Sequence, residues 1–144
     1  MKSLLILGAG GFGHMIKETA QVLGYEEIVF LDDMVKEDDV IGMCCDYVIK
    51  HEDYPVAVAA FGNNKTRLFW TDKLLEEGYE VPAIVHPSAV VSPSVTLEPG
   101  CFIMQRSVVN TNTKIERAAL VNSGAVVDHN SVVCAGAHVG LGSV

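Results

Sequence analysis

The chain has 144 residues, of which 49% are hydrophobic and 7% aromatic. This composition excludes wholesale disorder and fits one ordinary domain or two small ones. The formal net charge of −8 argues against a nucleic-acid partner, because phosphates favour a basic protein face.

The four cysteines form neither a CxxC pair nor a Cys/His pattern with metal-ligand spacing. No apolar run is long enough to cross a bilayer. We therefore expect a reduced, cytoplasmic protein with no metal and no membrane partner.

The first half of the chain alternates strand-like and helix-like segments. Two helical patterns end at glycines typical of helix C-caps, Gly24 and Gly78. Short apolar runs predict strands over residues 3–7, 28–31 and 56–61, and the second helix is predicted from 63 to about 77. This alternation indicates a small parallel α/β sheet within residues 1–83.

A glycine-rich loop joins the first predicted strand to the first helix. Gly8, Gly10 and Gly13 form the pattern GxGxxG, which lets a backbone approach a diphosphate at a helix N-terminus. UDP-sugars and NAD both contain a diphosphate, but a domain of about 80 residues lacks the usual second half of a dinucleotide fold. The loop favours a nucleotide-sugar, and a purely structural turn is the alternative.

Polar residues follow the second and third predicted strands. Asp32 and Asp33 are placed either to accept hydrogen bonds from a ribose or base, or to form an ordinary turn. Asn63, Asn64 and Arg67 follow the third strand at the same carboxyl edge, where open α/β sheets bind ligands. Asn63 is equally suited to be a helix N-cap.

From about Val85 the chain follows a six-residue period. Position one of ten consecutive hexads is Val, Leu or Ile, and position five is never larger than Val. This period is typical of a hexapeptide β-helix, in which three hexads make one triangular coil and the first and fifth residues fill the interior. We therefore predict a β-helical domain over residues 84–144.

The two halves, and their order, resemble sugar acyltransferases that join a Rossmann-like domain to a left-handed parallel β-helix. The similarity is greatest to N-acetyltransferases of nucleotide-linked amino sugars in bacillosamine-type pathways and to sialic-acid O-acetyltransferases. The segments that carry it are GAGGFG at 8–13, FLDD at 30–33, FGNNKTR at 61–67, IVHPSAVVSPS at 84–94 and NSGAVVDHNSVV at 122–133.

This resemblance implies a homotrimer that binds acetyl-coenzyme A along the groove between neighbouring β-helices. It also implies direct transfer of the acetyl group from the thioester to an amine, with histidine as the general base. The nucleotide-sugar is expected on the first domain, bound by the loop residues Gly8, Gly10, Gly11, Phe12 and Gly13 together with Asp32, Asp33, Asn63, Asn64 and Arg67. Phe12 occupies a position that is often histidine in the family, and His14 follows two residues later.

His129 is the candidate base. It occupies position three of its hexad, which does not point into the coil, so it is not a core histidine. The family usually has Asp or Glu after this histidine, whereas here Asn130 can orient the ring without adding charge. Asp128 precedes it, but neighbouring side chains on a strand diverge.

His138 lies nine residues later, half a coil onward. The resemblance implies that His138, with Gly136 and Gly142, lines the coenzyme site, and a solvated corner is the alternative. Arg106, Lys114 and Arg117 are candidates for binding the phosphates of the coenzyme, and solvated surface charges are the alternative. Cys101 is expected inside the coil and Cys134 outside, neither as a nucleophile.

The last hexad ends in register at Val144 without a polar cap, which predicts either a truncated chain or an end covered by other contacts. The leading functional hypothesis is acetyl-coenzyme A-dependent acetylation of the amine of a UDP-4-amino sugar for surface-glycan synthesis. The alternatives are O-acetylation of sialic acid or another sugar, and a non-catalytic trimer that binds a nucleotide-sugar. NAD-dependent chemistry is a remote fourth.

Overall fold

The structure, a computed structural model, describes residues 2–144. The chain divides into two compact units, one ending at Pro82 and the other beginning at Ala83. Between residues 2 and 144, no helix is both long and apolar enough to cross a membrane.

The first unit contains a four-stranded parallel sheet in the order β3-β2-β1-β4. The strands are β1 (Ser3–Leu7), β2 (Glu27–Leu31), β3 (Val40–Gly42) and β4 (Ala57–Ala59). The helices are α1 (Gly11–Val22), α2 (Tyr47–Lys50) and α3 (Asn64–Glu77). This order matches the first four strands of a doubly wound sheet.

The core of this sheet is its continuous apolar strand β1. Leu4, Leu5, Ile6 and Leu7 are fully buried, as expected for a parallel strand covered on both faces. The short elements β3 and α2 were not predicted. β3 has three half-buried residues at the edge of the sheet, too few to give a periodic signal.

The strand order reverses at β1, because β2 and β4 pair with its opposite edges. Open α/β sheets bind ligands in the crevice at such a point, at the carboxyl ends of the strands. The loops after β1 and β4 therefore border the position at which such sheets usually bind ligands.

The second unit is a parallel β-helix with two-residue strands on three faces. Strands pair with those eighteen residues away, as in Ile84↔Phe102, Phe102↔Leu120 and Leu120↔His138. The first face contains β5 (Ile84–Val85), β8 (Phe102–Ile103), β11 (Leu120–Val121) and β14 (His138–Val139); the second contains β6 (Val90–Val91), β9 (Val108–Val109) and β12 (Val126–Val127); the third contains β7 (Thr96–Leu97), β10 (Lys114–Ile115) and β13 (Val132–Val133).

The interior of the β-helix confirms the hexad assignment. Position-one residues such as Ile115 and Val121 are fully buried, and position-five residues such as Ala119 and Ala125 pack in the same cluster. Cys101 is buried among them, as predicted, whereas Cys134 is exposed.

Most corners of the β-helix place one residue in the left-handed backbone region. From Gly100 onward, every residue at position four of a hexad has a positive φ, including the non-glycine residues Arg106, Asn112, Ala118 and Asn130. This conformation costs an ordinary L-residue about 1–2 kcal/mol, and Asn and Gly tolerate it best. The left-handed conformation at position four is therefore a backbone constraint, and the hydrophobic pattern does not reveal it.

Replacing Gly124 tests this constraint, because its φ is +72° and a Cβ there would approach no atom closer than 3.8 Å. We expect Gly124→Ala to lower the free energy of unfolding by about 1–2 kcal/mol, since the cost is conformational rather than steric. Gly124→Asn is the matched control and should lose less than half as much. Urea unfolding measures both; equal losses would contradict the left-handed corner.

Candidate functional site

Two glycines of the first loop are required by close packing. Gly8 has a φ of +102°, and a Cβ on it would lie 2.7 Å from the carbonyl oxygen of Ala60. A Cβ on Gly13 would lie 1.9 Å from the carbonyl oxygen of Gly8. These contacts hold the loops after β1 and β4 together and seat α1 against the strand.

The other two glycines of the loop lie open. A Cβ on Gly10 or Gly11 would meet nothing within 4 Å. Gly10 is the N-cap of α1 and supplies no side-chain hydrogen bond. The first turn of this helix therefore lacks a side-chain cap at its N-terminus, as a backbone anion site requires.

Asp32 joins two loops at the carboxyl edge of the sheet. Its Oδ2 accepts a hydrogen bond from the N–H of Ala9, and its Oδ1 accepts bonds from the N–H groups of Met34 and Val35, each at 2.8 Å. Burial raises the pKa of Asp32, but the three backbone bonds outweigh burial and lower it overall. These contacts support the turn interpretation of Asp32.

Asp33 is more accessible to a ligand than Asp32. It is exposed, and its Oδ1 accepts a hydrogen bond from the N–H of Cys44 at 2.9 Å. Asp33 also lines a cavity of about 430 Å³ together with Glu37, Asp38 and Met43. A carboxylate at this position can accept hydrogen bonds from a ribose or a base.

Two contacts between basic and acidic side chains attach the loop after β2 to α1. His14 Nε2 lies 3.0 Å from Glu37 Oε2, and Lys17 Nζ lies 2.8 Å from Asp39 Oδ2. The bond from Lys17 lowers the pKa of Asp39 despite some burial. His14 thus contacts the loop that lines the cavity, while Phe12 lies half-buried in the glycine loop.

The loop after β4 is organised by Asn63 and Arg67. Asn63 is the N-cap of α3, and its Oδ1 accepts bonds from the backbone N–H and the hydroxyl of Thr66, at 2.9 and 3.1 Å. Arg67, expected from the sequence to contact substrate, is 0% exposed and has no surface for direct contact. Its guanidinium donates to the carbonyl oxygens of Phe61 and Gly62 and to Asn64 Oδ1. Burial lowers the pKa of Arg67.

His129 lies at the corner between β12 and β13 and is exposed, as its hexad position predicts. Its Nδ1 lies 2.8 Å from Asn130 Oδ1, an atom that can only accept a hydrogen bond. In a neutral ring this contact favours the proton on Nδ1, which leaves the lone pair of Nε2 available. The Asp128 carboxylate instead accepts the backbone N–H of His129 at 2.8 Å.

The backbone explains the asparagine at position 130. Asn130 occupies the left-handed corner with a φ of 58°, and its N–H donates to the carbonyl oxygen of Thr111 in the preceding coil. Asn adopts this conformation more readily than most residues. One residue thus forms the corner and orients the histidine.

His138 lies on β14 and pairs with a residue that sequence reasoning missed. Its Nε2 lies 3.1 Å from Nδ2 of Asn122, whose Oδ1 accepts the N–H of Ser123. The eighteen-residue register is the signal that would have found Asn122, because it pairs His138 with Leu120, two residues earlier. Gly136 and Gly142 are left-handed corner residues with φ of 70° and 64°, which is a backbone role.

His129 and His138 lie on opposite sides of the β-helix. His129 is at the corner between the second and third faces, and His138 is on the first face. A corner and the opposite face of a triangular coil do not share one surface. A site that uses both imidazoles therefore needs them from two copies.

Other chemistry is less favoured by the side chains present. Burial raises the pKa of Cys44 and of Cys101 to about 12, so neither is a thiolate near neutral pH. Lys114, a candidate for phosphate contact, already pairs with Glu98 and Glu116 at 3.4 and 3.6 Å. The described residues contain no group of three or more His, Cys, Asp or Glu that could hold a metal ion.

Comparison with known proteins places this geometry in a family. Residues 3–74 match the PglD N-terminal domain. The acetyltransferase domain of PglB from Neisseria gonorrhoeae FA1090, in complex with acetyl coenzyme A, is 34% identical with a TM-score of 0.91, over 95% of this chain and 69% of that chain. This chain belongs to the hexapeptide-repeat sugar N-acetyltransferase family.

Two further structures of similar fold extend the comparison. A histidine-to-asparagine variant of perosamine N-acetyltransferase from Caulobacter crescentus, in complex with CoA and GDP-perosamine, is 28% identical with a TM-score of 0.90, over 96% of this chain and 68% of that chain. WeeI from Acinetobacter baumannii AYE is 19% identical with a TM-score of 0.77, over 92% and 66%, and supports the fold alone.

Asp32→Asn tests the role of this half-buried carboxylate in the family member. The amide can accept the bonds from Met34 and Val35, but its Nδ2 then faces the Ala9 N–H, donor against donor. We expect a loss of about 1–3 kcal/mol in the free energy of unfolding at pH 7. Because the folded-state pKa is lowered, the advantage of Asp32 is present above its unfolded value of about 3.9 and disappears as the pH falls through the lowered folded value.

Urea unfolding of both proteins between pH 3 and 7 measures this difference. Asp38→Asn, which removes the same charge from an exposed residue of the same loop, is the control and should change stability little. A constant difference between Asp32→Asn and the unsubstituted protein at all pH values would contradict the interpretation.

Proposed function

We propose that this protein transfers the acetyl group of acetyl-coenzyme A to the amine of a nucleotide-linked 4-amino sugar. The β-helix carries the base, and the first unit binds the nucleotide. The single observation that carries the proposal is the contact between His129 Nδ1 and Asn130 Oδ1, which leaves an unprotonated Nε2 at an exposed corner.

The chemistry requires one proton acceptor. As the amine nitrogen attacks the thioester carbonyl carbon, the N–C bond forms, the C–S bond breaks, and His129 Nε2 accepts the proton released by the amine. The protonated imidazole then supplies that proton to the departing thiolate. General-base assistance of this kind typically contributes 10²–10⁴-fold. Asn130 takes the orienting role that a carboxylate has elsewhere in the family, without its negative charge.

The nucleotide is assigned to the carboxyl edge of the first sheet. The open N-terminus of α1 suits the diphosphate, and Asp33 beside the 430 Å³ cavity suits the ribose or base. The strand order β3-β2-β1-β4 supports a Rossmann-like interpretation of this unit. UDP and GDP sugars both fit these chemical requirements, and the perosamine N-acetyltransferase structure contains GDP-perosamine.

Two features of related proteins support acetyl-coenzyme A as the donor. The PglB acetyltransferase domain was solved with acetyl coenzyme A, and the perosamine enzyme with CoA. We infer in addition that the β-helix is left-handed, as in the family that the sequence resembles. We also propose a cytoplasmic setting, which the four free thiols support.

The positions of the two histidines support a homotrimer. If His138 contacts the coenzyme while His129 removes the proton, one site takes them from neighbouring copies, since they lie on opposite sides of one β-helix. A closed ring of heterologous contacts supplies such a site at each interface.

We expect His129→Ala to lower kcat by 10²–10⁴-fold with little change in KM for the nucleotide-sugar, because the base acts in the transition state. The measurement is the rate of acetyl transfer from acetyl-coenzyme A to UDP- and GDP-linked 4-amino sugars. The corresponding nucleotide-sugars with a 4-hydroxyl group serve as alternative acceptors. His86→Ala is the matched control, because the His86 ring contacts Ser88 instead.

Unchanged turnover in His129→Ala would remove the proposed base. Transfer to the hydroxyl acceptors and none to the amines would replace N-acetylation by O-acetylation. Binding of nucleotide-sugar without any acetyl transfer by the unsubstituted protein would favour the non-catalytic trimer.

Mixing two variants, each of which is expected to have impaired activity, tests the shared site. His129→Ala and His138→Ala, unfolded together and reassembled, should regain activity at about one quarter of the sites in random trimers. Each restored site takes His129 from one copy and His138 from its neighbour. Equilibrium sedimentation checks that trimers form; trimers without restored activity would contradict a site between copies.

A further inference from the structure

The loop that follows β4 presents two consecutive asparagines at the point where the strand order of the first sheet reverses. Asn63 and Asn64 are both exposed. This loop contacts the glycine loop after β1, because the Gly8 position lies against Ala60 and Phe61. The two asparagines therefore lie two and three residues beyond this contact, at the same edge of the sheet.

The amide of Asn64 has only one possible orientation. Its side-chain oxygen lies 3.0 Å from Nη2 of Arg67. A guanidinium has five donors and no acceptor, so the atom that faces it must be Oδ1. The Nδ2 group of Asn64, which has two N–H donors, is left for solvent or a ligand.

The amide of Asn63 is oriented in the same sense by a different contact. Its Oδ1 accepts two bonds, from the backbone N–H and the hydroxyl of Thr66. The backbone N–H can only donate, so it also fixes Oδ1 inward and Nδ2 outward. Both asparagines thus keep their acceptor atoms within the protein and expose donors.

Charge at the loop favours an anion. Lys65 is exposed and follows the two asparagines, and the first turn of α3 contains no acidic residue. Below the loop, the guanidinium of Arg67 is held by the carbonyl oxygens of Phe61 and Gly62 and does not itself reach the surface. The surface above it therefore combines donors with positive charge.

We propose that Asn63 and Asn64 form a donor-only pair that binds the diphosphate of the nucleotide-sugar, and that Arg67 is the buried positioning residue that sets the orientation of Asn64. This inference rests on the proposed function, which supplies a nucleotide as the ligand. A diphosphate is the acceptor-only part of such a substrate, whereas a ribose or base also has donors. Arg67 therefore influences binding through Asn64 and not by contact.

Asn64→Asp separates this role from a structural one. The carboxylate keeps, and strengthens, the bond to Arg67, so the melting temperature should not fall. It presents an oxygen instead of an N–H₂ group to the ligand, which repels a diphosphate. We expect the affinity for UDP or GDP to fall about tenfold or more, and the affinity for uridine or guanosine to stay within twofold.

The experiment is calorimetric titration of the full chain with UDP, GDP, uridine and guanosine. Gln21→Glu, an exposed amide-to-carboxylate change on α1, is the matched control for added charge and should leave all affinities unchanged. A double-mutant cycle tests Arg67. Arg67→Lys should weaken diphosphate binding when Asn64 is present and have little further effect in Asn64→Ala, because the two residues act as one unit.

The outcomes separate the two levels of inference. If the unsubstituted protein binds neither UDP nor GDP, the nucleotide-sugar assignment fails. If it binds one of them and Asn64→Asp binds it equally well, only the donor pair is refuted. If Arg67→Lys weakens binding equally with and without the Asn64 amide, the positioning role of Arg67 is refuted. If the Arg67 variant does not fold, the result for Asn64→Asp decides the test.

Discussion

The backbone hydrogen bonds between coils eighteen residues apart are the constraint on which the β-helix depends. Each short strand pairs with the same hexad position one coil away, as in Val108↔Val126 and Lys114↔Val132. Stacking in this register buries position one, restricts position five to small residues and turns the chain at position four. At position three, which His129 occupies, no residue of any hexad is buried. A histidine such as His129 can therefore occupy a corner without loss of interior packing.

In both units, the chemistry that a polar side chain offers depends on which of its atoms the protein already uses. Asp32 accepts three backbone hydrogen bonds, so both of its carboxylate oxygens already have partners within the protein. Asn130 uses its oxygen to orient His129, and Asn64 uses its oxygen to receive Arg67. The free atoms, an imidazole nitrogen in one case and an amide N–H₂ group in the other, have opposite hydrogen-bonding character. One suits removal of a proton and the other suits an anion.

Sequence reasoning predicted the elements that have a strong period or a specific turn residue. The strand Ser3–Leu7, the helix ending before Gly78 and all ten hexads of the β-helix follow from apolar patterns. The edge strand Val40–Gly42 and the short helix Tyr47–Lys50 did not, because three residues are too few for a clear alternation and four residues make barely one helical turn. Val40 and Gly42 of this edge strand line the cavity beside Asp33, and the short helix follows soon after them in the sequence.

The sequence alone determined the interior, because a six-residue apolar period can be satisfied only by a coil that buries every sixth side chain. It also determined which residues were available for chemistry, including His129 and the two asparagines. Only the tertiary structure decided what each of them offers. The full burial of Arg67 and the direction of the Asn64 amide depend on atoms that meet through folding. Hydrogen bonding is directional and pairwise, so its outcome requires coordinates, whereas hydrophobic burial follows from the pattern.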